Sequence, residues 1–131
     1  MIIDTSALIA IARQEDEAAK FAEAMDETEQ LKISAASLFE AFVVVDRSAD
    51  RTIPRRFDTF CRRIGFEIVP FDEAQAQIAR EAYRDFGKGS GHPARLNFGD
   101  CFAYALAKAL DEPLLYKGRD FAHTDVRPAL S

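Results

Sequence analysis

Short apolar runs alternate with longer amphipathic segments along the chain, and this alternation restricts the fold more than any other feature. Four runs predict strands, at 1–4, 31–33, 66–69 and 113–116. The segments between them have apolar residues at helical spacing, which predicts helices from about residue 6 and at about 17–27, 36–47, 54–64, 72–86 and 98–110. Strands separated by helices indicate βαβ units. We therefore expect an α/β fold with a small, mostly parallel sheet of four to five strands and helices on both faces.

The composition is that of an ordinary globular protein. A length of 131 residues suits one domain, 1–131, and the hydrophobic share of 48% is enough for a core. Cys61 and Cys101 lie in apolar helical patterns and form no C-x-x-C pair, so we interpret them as reduced residues of a cytoplasmic protein. The longest apolar stretch, 101–107, is too short to span a bilayer. We expect no membrane association.

Four acidic residues stand at positions that an α/β fold would bring together. Asp4 ends the first strand, Glu40 and Asp100 fall in the first turns of apolar helical segments, and Asp120 follows the last strand. Ligands of open parallel sheets bind in the crevice outside the carboxyl ends of the strands. Carboxylates gathered there repel one another unless a cation neutralises them, and their hard oxygens favour Mg²⁺ or Mn²⁺. The sequence therefore predicts a metal site.

Each acid also has a purely structural explanation. The alternatives are an N-cap for Asp4, a capping box of Ser37 with Glu40, a helix-dipole partner beside the N-cap Asn97 for Asp100, and a turn next to Gly118 for Asp120. The joint occurrence favours the metal. Apolar neighbours such as Phe39 and Phe98 indicate low-solvent surroundings, where an unpaired charge is costly.

Four sequence motifs resemble those of PIN-domain proteins, and most closely those of the VapC toxins of bacterial type II toxin–antitoxin systems. They are IIDTSAL at 2–8, SAASLFE at 34–40, LNFGDCFAYA at 96–105 and LLYKGRDF at 114–121. The resemblance covers essentially the whole chain and implies a three-layer α/β/α sandwich. One departure is Arg119, where many relatives carry asparagine.

The resemblance implies a Mg²⁺-dependent endoribonuclease, with Mn²⁺ as an alternative metal, that acts on transfer RNA or another structured RNA. Asp4 and Asp100 would be the principal metal ligands, and Glu40 and Asp120 would complete the acidic pocket. Ser6 and Asn97 would orient these carboxylates by hydrogen bonds or act as helix caps. Asp125 is the replacement if Asp120 points away.

Basic residues near the third and fourth acids predict a rim that contacts RNA phosphates. The net charge of -5 argues against general nucleic-acid binding, so a local basic rim is needed. Its candidates are Lys88, Arg95, Lys117 and Arg119. A zinc site is poorly supported, because His92 and His123 have no cysteine near them.

The resemblance also implies protein partners. These are a second copy of the chain, forming a homodimer, and a VapB-type antitoxin whose C-terminal segment crosses the active site. DNA would be contacted only through the antitoxin. We expect the apolar residues Phe39, Phe42 and Val43 to belong to the core, with an antitoxin groove as the alternative.

Two other functions remain open at this stage. The first is an aspartate-based phosphotransfer domain with Asp4 as its nucleophile, although Ser6 stands where phosphatases of that type need a second aspartate. The second is a non-catalytic binding module of the same fold.

Overall fold

The computed structural model describes residues 1–130, in which four short strands alternate with six helices. The strands are β1 (Ile2–Ile3), β2 (Lys32–Ser34), β3 (Glu67–Val69) and β4 (Leu114–Leu115). The helices are α1 (Thr5–Ala12), α2 (Ala18–Asp26), α3 (Ala35–Asp46), α4 (Thr52–Ile64), α5 (Glu73–Phe86) and α6 (Asp100–Leu110). A 3₁₀ helix follows at Asp120–His123.

All four strands are parallel, in the order β3-β2-β1-β4. The chain moves outward from β1 to β2 and β3, then returns through α5 and α6 to place β4 on the other side of β1. A crevice opens at the carboxyl ends of β1 and β4, where the direction of winding reverses. The backbone N–H of Asp4 donates to the carbonyl of Leu115 at 2.9 Å, which holds the end of β1 against β4.

Successive strand residues face opposite sides of the sheet and build two separate cores. Ile3, Ile33 and Leu115 pack with α1, α2, α3 and α4 on one face. Ile2 and Leu114 pack with residues of α6 on the other face. The fold is therefore the expected three-layer α/β/α sandwich.

A fifth strand is reduced to a single bridge between Leu114 and Pro128. The Leu114 N–H donates to Arg127 O at 2.9 Å, and the Ala129 N–H donates back to Leu114 O at 2.9 Å. Within the described residues the pairing stays at this single bridge.

The glycine-rich loop between α5 and α6 is held by its own hydrogen bonds. The Ser90 hydroxyl donates to Gly87 O at 2.6 Å, and the Lys88 N–H donates to Leu96 O at 2.8 Å. His92 accepts from the Ala94 N–H through Nδ1 and packs edge-on against Phe86. This histidine has a structural role.

Cys61 and Cys101 are unpaired thiols, as expected, and burial raises the pKa of each to about 11. Across residues 1–130, no helix has the length and apolarity that a membrane crossing needs.

Candidate metal centre

The four predicted acids, from four separate elements, line one cavity of about 410 Å³ at the carboxyl ends of β1 and β4. Asp4 follows β1, Glu40 lies in α3, Asp100 begins α6 and Asp120 begins the 3₁₀ helix. We call this space the acidic cavity; its lining is Asp4, Thr5, Ser6, Ile9, Arg13, Glu15, Glu40, Val44, Asn97, Asp100, Lys117, Asp120 and Phe121.

Asp4 is both the N-cap of α1 and the most buried acid of the cavity, with 3% of its surface exposed. Its carboxylate accepts a hydrogen bond from the Ser6 N–H at 3.0 Å. Burial raises the pKa of Asp4 to about 6, against the opposing effect of hydrogen bonds from Ser6, and the nearby charge of Glu40 raises it further. The Asp4 side chain therefore caps α1, as the structural explanation predicted, and also lines the acidic cavity.

Asp100 is positioned by a reciprocal pair of hydrogen bonds with Asn97. The Asn97 side chain accepts from the Asp100 N–H at 2.8 Å, and the Asn97 N–H donates to the Asp100 carboxylate at 3.0 Å. Burial raises the pKa of Asp100 to about 7; the bond from Asn97 opposes this rise, whereas the charges of Asp4 and Asp120 add to it. Repulsion among these carboxylates is thus built into the site.

Ser6 and Asn97 both contact the acids they were predicted to orient, in each case through the backbone N–H. The Ser6 hydroxyl has a further contact, since it accepts from the Lys117 N–H at 2.9 Å. This bond joins the start of α1 to the segment after β4, on either side of the cavity.

Glu40 reaches the cavity from the second turn of α3. The capping-box explanation for Glu40 is wrong, because α3 begins earlier, at the N-cap Ser34, whose hydroxyl accepts from the Ala36 N–H at 3.2 Å. Ser37 is therefore inside the helix. The Glu40 carboxylate instead packs directly against Gly99, the residue before α6.

Asp125, the proposed replacement for Asp120, lies elsewhere. Its carboxylate accepts from the Tyr104 hydroxyl at 2.7 Å and pairs with the Lys108 ammonium at 2.9 Å. Asp120 lines the acidic cavity and raises the pKa of Asp100. The structure therefore places Asp120, and not Asp125, with the other three acids.

The donor chemistry of the cavity fits a hard divalent cation. Its acids are all carboxylates, and the charges of Glu40 and Asp120 raise the pKa of Asp4 and Asp100, so a cation would relieve a repulsion already present. No three histidine, cysteine, aspartate or glutamate side chains among residues 1–130 converge closely enough to ligate one ion as they stand. A Mg²⁺ ion held by one or two carboxylates and several waters does not need a third protein ligand.

The predicted basic rim contributes Lys117 to the cavity lining. Its ammonium pairs with Glu15 at 2.7 Å and with Glu17 at 3.7 Å. Lys88, Arg95 and Arg119 are exposed and are not among the residues that line the cavity.

Arg13 lines the acidic cavity and was not predicted from the sequence. Within the described residues its guanidinium makes no ion pair with a carboxylate. The signal that indicates it is helical spacing, since Ser6, Ile9 and Arg13 recur three and four residues apart on one face of α1 and its end.

Two aromatic residues beside the acids are exposed, contrary to the prediction of low-solvent surroundings. Phe39 is 67% exposed and Phe98 is 75% exposed. Assigning Phe39 and Phe42 to the core is wrong, because α3 turns Leu38, Ala41 and Val45 inward instead. The low-solvent environment exists, but it surrounds Asp4.

Phe98 also borders an apolar groove of about 470 Å³ between α5 and α6, which we call the aromatic groove. Phe102 packs edge-on against both Phe98 and Phe71, with ring centroids 5.0 Å apart in each pair. The groove is lined by Phe71, Ala76, Ala79, Arg80, Tyr83, Arg84, Phe98, Cys101 and Phe102.

Comparison with known proteins agrees with the fold. Residues 1–127 match the family model described as PIN domain. The chain is 52% identical to Ribonuclease VapC28 of Mycobacterium tuberculosis over 130 residues, which cover 99% of this chain and 98% of that protein.

Two solved structures share the fold at low sequence identity. The Sarcin-Ricin loop cleaving toxin VapC20 of Mycobacterium tuberculosis superposes with a TM-score of 0.71 at 15% identity, covering 97% of this chain and 98% of that one. VapBC2 from Rickettsia felis, bound to a DNA fragment from its promoter, superposes with a TM-score of 0.69 at 19% identity, covering 92% and 89%.

The parallel sheet and the match to the family model identify the class of protein as that of the PIN domains. The chain belongs to the PIN-domain family and, within it, to the VapC ribonuclease toxins.

Proposed function

We propose that this protein is a Mg²⁺-dependent endoribonuclease and the toxin of a type II toxin–antitoxin system. The observation that carries the proposal is the gathering of four carboxylates from four elements into one cavity, with the pKa of Asp4 raised to about 6 and that of Asp100 to about 7. Repulsion between these carboxylates destabilises the fold, and groups with such shifted pKa values cluster at functional sites. A divalent cation, with Mn²⁺ as a substitute, would make this arrangement favourable.

The residues divide the chemistry among themselves. Asp4 and Asp100 would hold the cation, which supplies a water activated for attack and neutralises charge on the phosphate. Glu40 or Asp120 accepts the proton of the attacking water. Attack in line on phosphorus then breaks the bond to the 3′ oxygen, which takes up a proton from solvent, and leaves a 5′-phosphate and a 3′-hydroxyl.

Two positively charged side chains that line the cavity, Arg13 and Lys117, are suited to bind the scissile phosphate. Arg13 offers a planar guanidinium that can contact two phosphate oxygens at once. Lys117 is engaged by Glu15 and Glu17, so an RNA phosphate must compete with those carboxylates for its ammonium. Lys88, Arg95 and Arg119 would contact phosphates farther along the strand.

The favoured substrate is a single-stranded loop of transfer RNA or of another structured RNA. A recessed cavity reaches a splayed backbone more easily than a regular duplex. A similarly folded protein, VapC20, is described as cleaving the sarcin–ricin loop, which is consistent with a loop as the target.

A VapB-type antitoxin would control the enzyme in the cytoplasm, and DNA would be reached through that partner. Solved structures with this fold include a toxin–antitoxin complex on promoter DNA. The exposed Phe39 and Phe42 and the aromatic groove offer apolar surface for the antitoxin and for a second copy of the chain in a homodimer.

The competing phosphotransfer function has little structural support. A nucleophilic aspartate must be reached by its substrate, whereas Asp4 is 3% exposed and is engaged as a helix cap. A non-catalytic module would have no need for the repulsion between the acids.

Cleavage of RNA by purified protein tests the proposed function. We expect a labelled structured RNA to be cut to 5′-phosphate ends with Mg²⁺, and to stay intact with EDTA or with the Asp4→Asn variant. Cleavage that persists in EDTA, or that leaves 2′,3′-cyclic phosphates, would contradict the mechanism. Absence of cleavage by a metal-loaded wild-type protein across a transfer RNA pool and ribosomal RNA would favour the non-catalytic module.

A further inference from the structure

Gly99 stands where the acids of α3 and α6 meet, immediately before Asp100. Its backbone conformation does not require glycine, since its φ of -64° and ψ of -36° are ordinary right-handed helical values. Gly99 is the N-cap of α6, a position at which glycine is common, although it provides no side-chain cap hydrogen bond. The space around Gly99 gives a further reason for its presence.

That reason is the room it leaves for a carboxylate. A Cβ built on Gly99 would lie 2.7 Å from both Cδ and Oε1 of Glu40 and closer still to Oε2. Gly99 is itself buried, so the contact is enclosed. Every nearest neighbour of the missing side chain belongs to the Glu40 carboxylate.

We propose that Gly99 is a positioning residue for Glu40: by carrying no side chain, it admits the Glu40 carboxylate against the first turn of α6, beside Asp100. The proposal rests on the function proposed above for the acidic cavity. The partial positive charge of the helix N-terminus favours a carboxylate at this place. Glu40 thereby reaches its position among the acids although α3 lies in a different part of the chain.

A substitution at Gly99 should leave the fold intact while moving Glu40. The atoms that an alanine methyl would meet form the end of a flexible side chain, which can rotate away at low cost. The nearest carboxylate oxygen must retreat by more than about 1 Å to reach an ordinary van der Waals separation. The backbone is already helical and accepts alanine.

The first measurement is a crystal structure of the metal-free Gly99→Ala variant beside that of the wild type. We expect an unchanged α6 and a Glu40 carboxylate displaced by about 1 Å or more. A carboxylate that keeps its place while the backbone of α6 shifts would overturn the proposal. This comparison needs neither metal nor RNA.

The second measurement is a double-mutant cycle of Gly99→Ala with Glu40→Ala, read as Mn²⁺ affinity by calorimetry and as RNA cleavage. Alone, Gly99→Ala should weaken Mn²⁺ binding by about 10-fold, the usual effect of disturbing a ligand's support. In the Glu40→Ala background it should have no further effect, because the side chain that it displaces is gone. An equal loss in both backgrounds would show that Gly99 acts otherwise.

Outcomes for the positioning role and for the proposed function are separable. If the wild type cuts no RNA but Gly99→Ala displaces the Glu40 carboxylate, the ribonuclease is refuted and the positioning role is kept. A wild type that cuts RNA while Gly99→Ala behaves identically in structure, Mn²⁺ affinity and cleavage keeps the ribonuclease and refutes the positioning role. Thermal unfolding of both variants confirms that neither result comes from a misfolded protein.

Discussion

Asn97 and Asp100 cap one another: the Asn97 side chain accepts the Asp100 N–H at 2.8 Å, and the Asp100 carboxylate accepts the Asn97 N–H at 3.0 Å. The bonds that start α6 therefore also aim a candidate metal ligand. Asp4 has the same two roles at α1, because its carboxylate is the N-cap of that helix and also lines the acidic cavity. In both cases a local helix signal places a carboxylate at the acidic cavity.

Replacing either central acid by its amide should separate activity from stability. Asp4→Asn and Asp100→Asn should each lower RNA cleavage by about 100-fold or more, because an anionic ligand is lost. Without metal, both variants should be at least as stable as the wild type. Burying the charged Asp4 carboxylate costs the folded protein roughly 3 kcal/mol at most, the free energy that corresponds to the rise in its pKa from 3.8 to about 6. An uncharged amide avoids this cost. Urea unfolding in EDTA at pH 8 and a cleavage assay measure the two effects. Full cleavage by either variant at saturating Mg²⁺ would remove that residue from the site.

The metal-free protein should lose stability as the pH rises. A carboxyl group whose pKa is higher in the folded state than in the unfolded state stabilises the fold below its unfolded pKa, and this contribution is lost as the pH passes through the folded value. For Asp4 and Asp100 the window runs from about pH 4 to about pH 7. Thermal unfolding in EDTA across this range should show a falling midpoint, and Asp4→Asn should flatten the fall. An identical slope in the variant would contradict the assignment.

The stabilisation of the fold by added Mg²⁺ should increase as the pH rises, whereas the stability of the metal-free protein should decrease. Protons and Mg²⁺ compete for the same carboxylates, so added Mg²⁺ should raise the unfolding midpoint little at pH 5 and much more at pH 8. Glu112 gives a matched control, since it is paired with Lys32 and lies outside the acidic cavity. Glu112→Gln should keep the full Mg²⁺ response, whereas Asp100→Asn should lose it.

Arg13 should contribute more to RNA binding than Lys88 does. Both residues are exposed, but Arg13 lines the acidic cavity, whereas Lys88 lies outside it on the loop between α5 and α6. Arg13→Ala should weaken RNA binding and reduce the slope of affinity against salt by about one unit, with Mn²⁺ affinity little changed. Lys88→Ala is the matched control and should change affinity less. If a salt series shows the two variants to be equal, Arg13 is not the phosphate-binding cation.

Inhibition by the antitoxin should compete in part with Mg²⁺ or Mn²⁺. An arginine or lysine of the partner that enters the acidic cavity would pair with Asp4, Glu40 or Asp100 and replace the charge of the metal. Raising the metal concentration should therefore increase the amount of antitoxin needed, and removing the intruding basic residue should weaken inhibition. A fully inhibited complex with an open, metal-filled cavity would show that the partner blocks the RNA path instead.

Local patterns in the sequence determined the element order and the acids of the site. Apolar runs of strand length, helical spacing and cap residues depend on neighbours within a few positions, and those neighbours are visible in the printed chain. For Asp4 and the pair Asn97–Asp100 the local sequence predicted the caps, whereas the joint occurrence of four distant acids predicted that Asp4 and Asp100 line one cavity. Element ends were less accurate, as the early start of α3 at Ala35 shows.

Tertiary packing decided the features that depend on residues far apart in the chain. Phe39 is apolar but exposed, because the rotation of α3 against the sheet turns Leu38 and Ala41 inward instead. Arg13 joins the acidic cavity, and Asp125 is drawn away by Tyr104 and Lys108, through contacts that no local pattern contains. The contact of Glu40 with Gly99 spans two helices and depends on an absent side chain. Sequence periodicity reports which residues share a face, whereas the docking of that face sets what each residue touches.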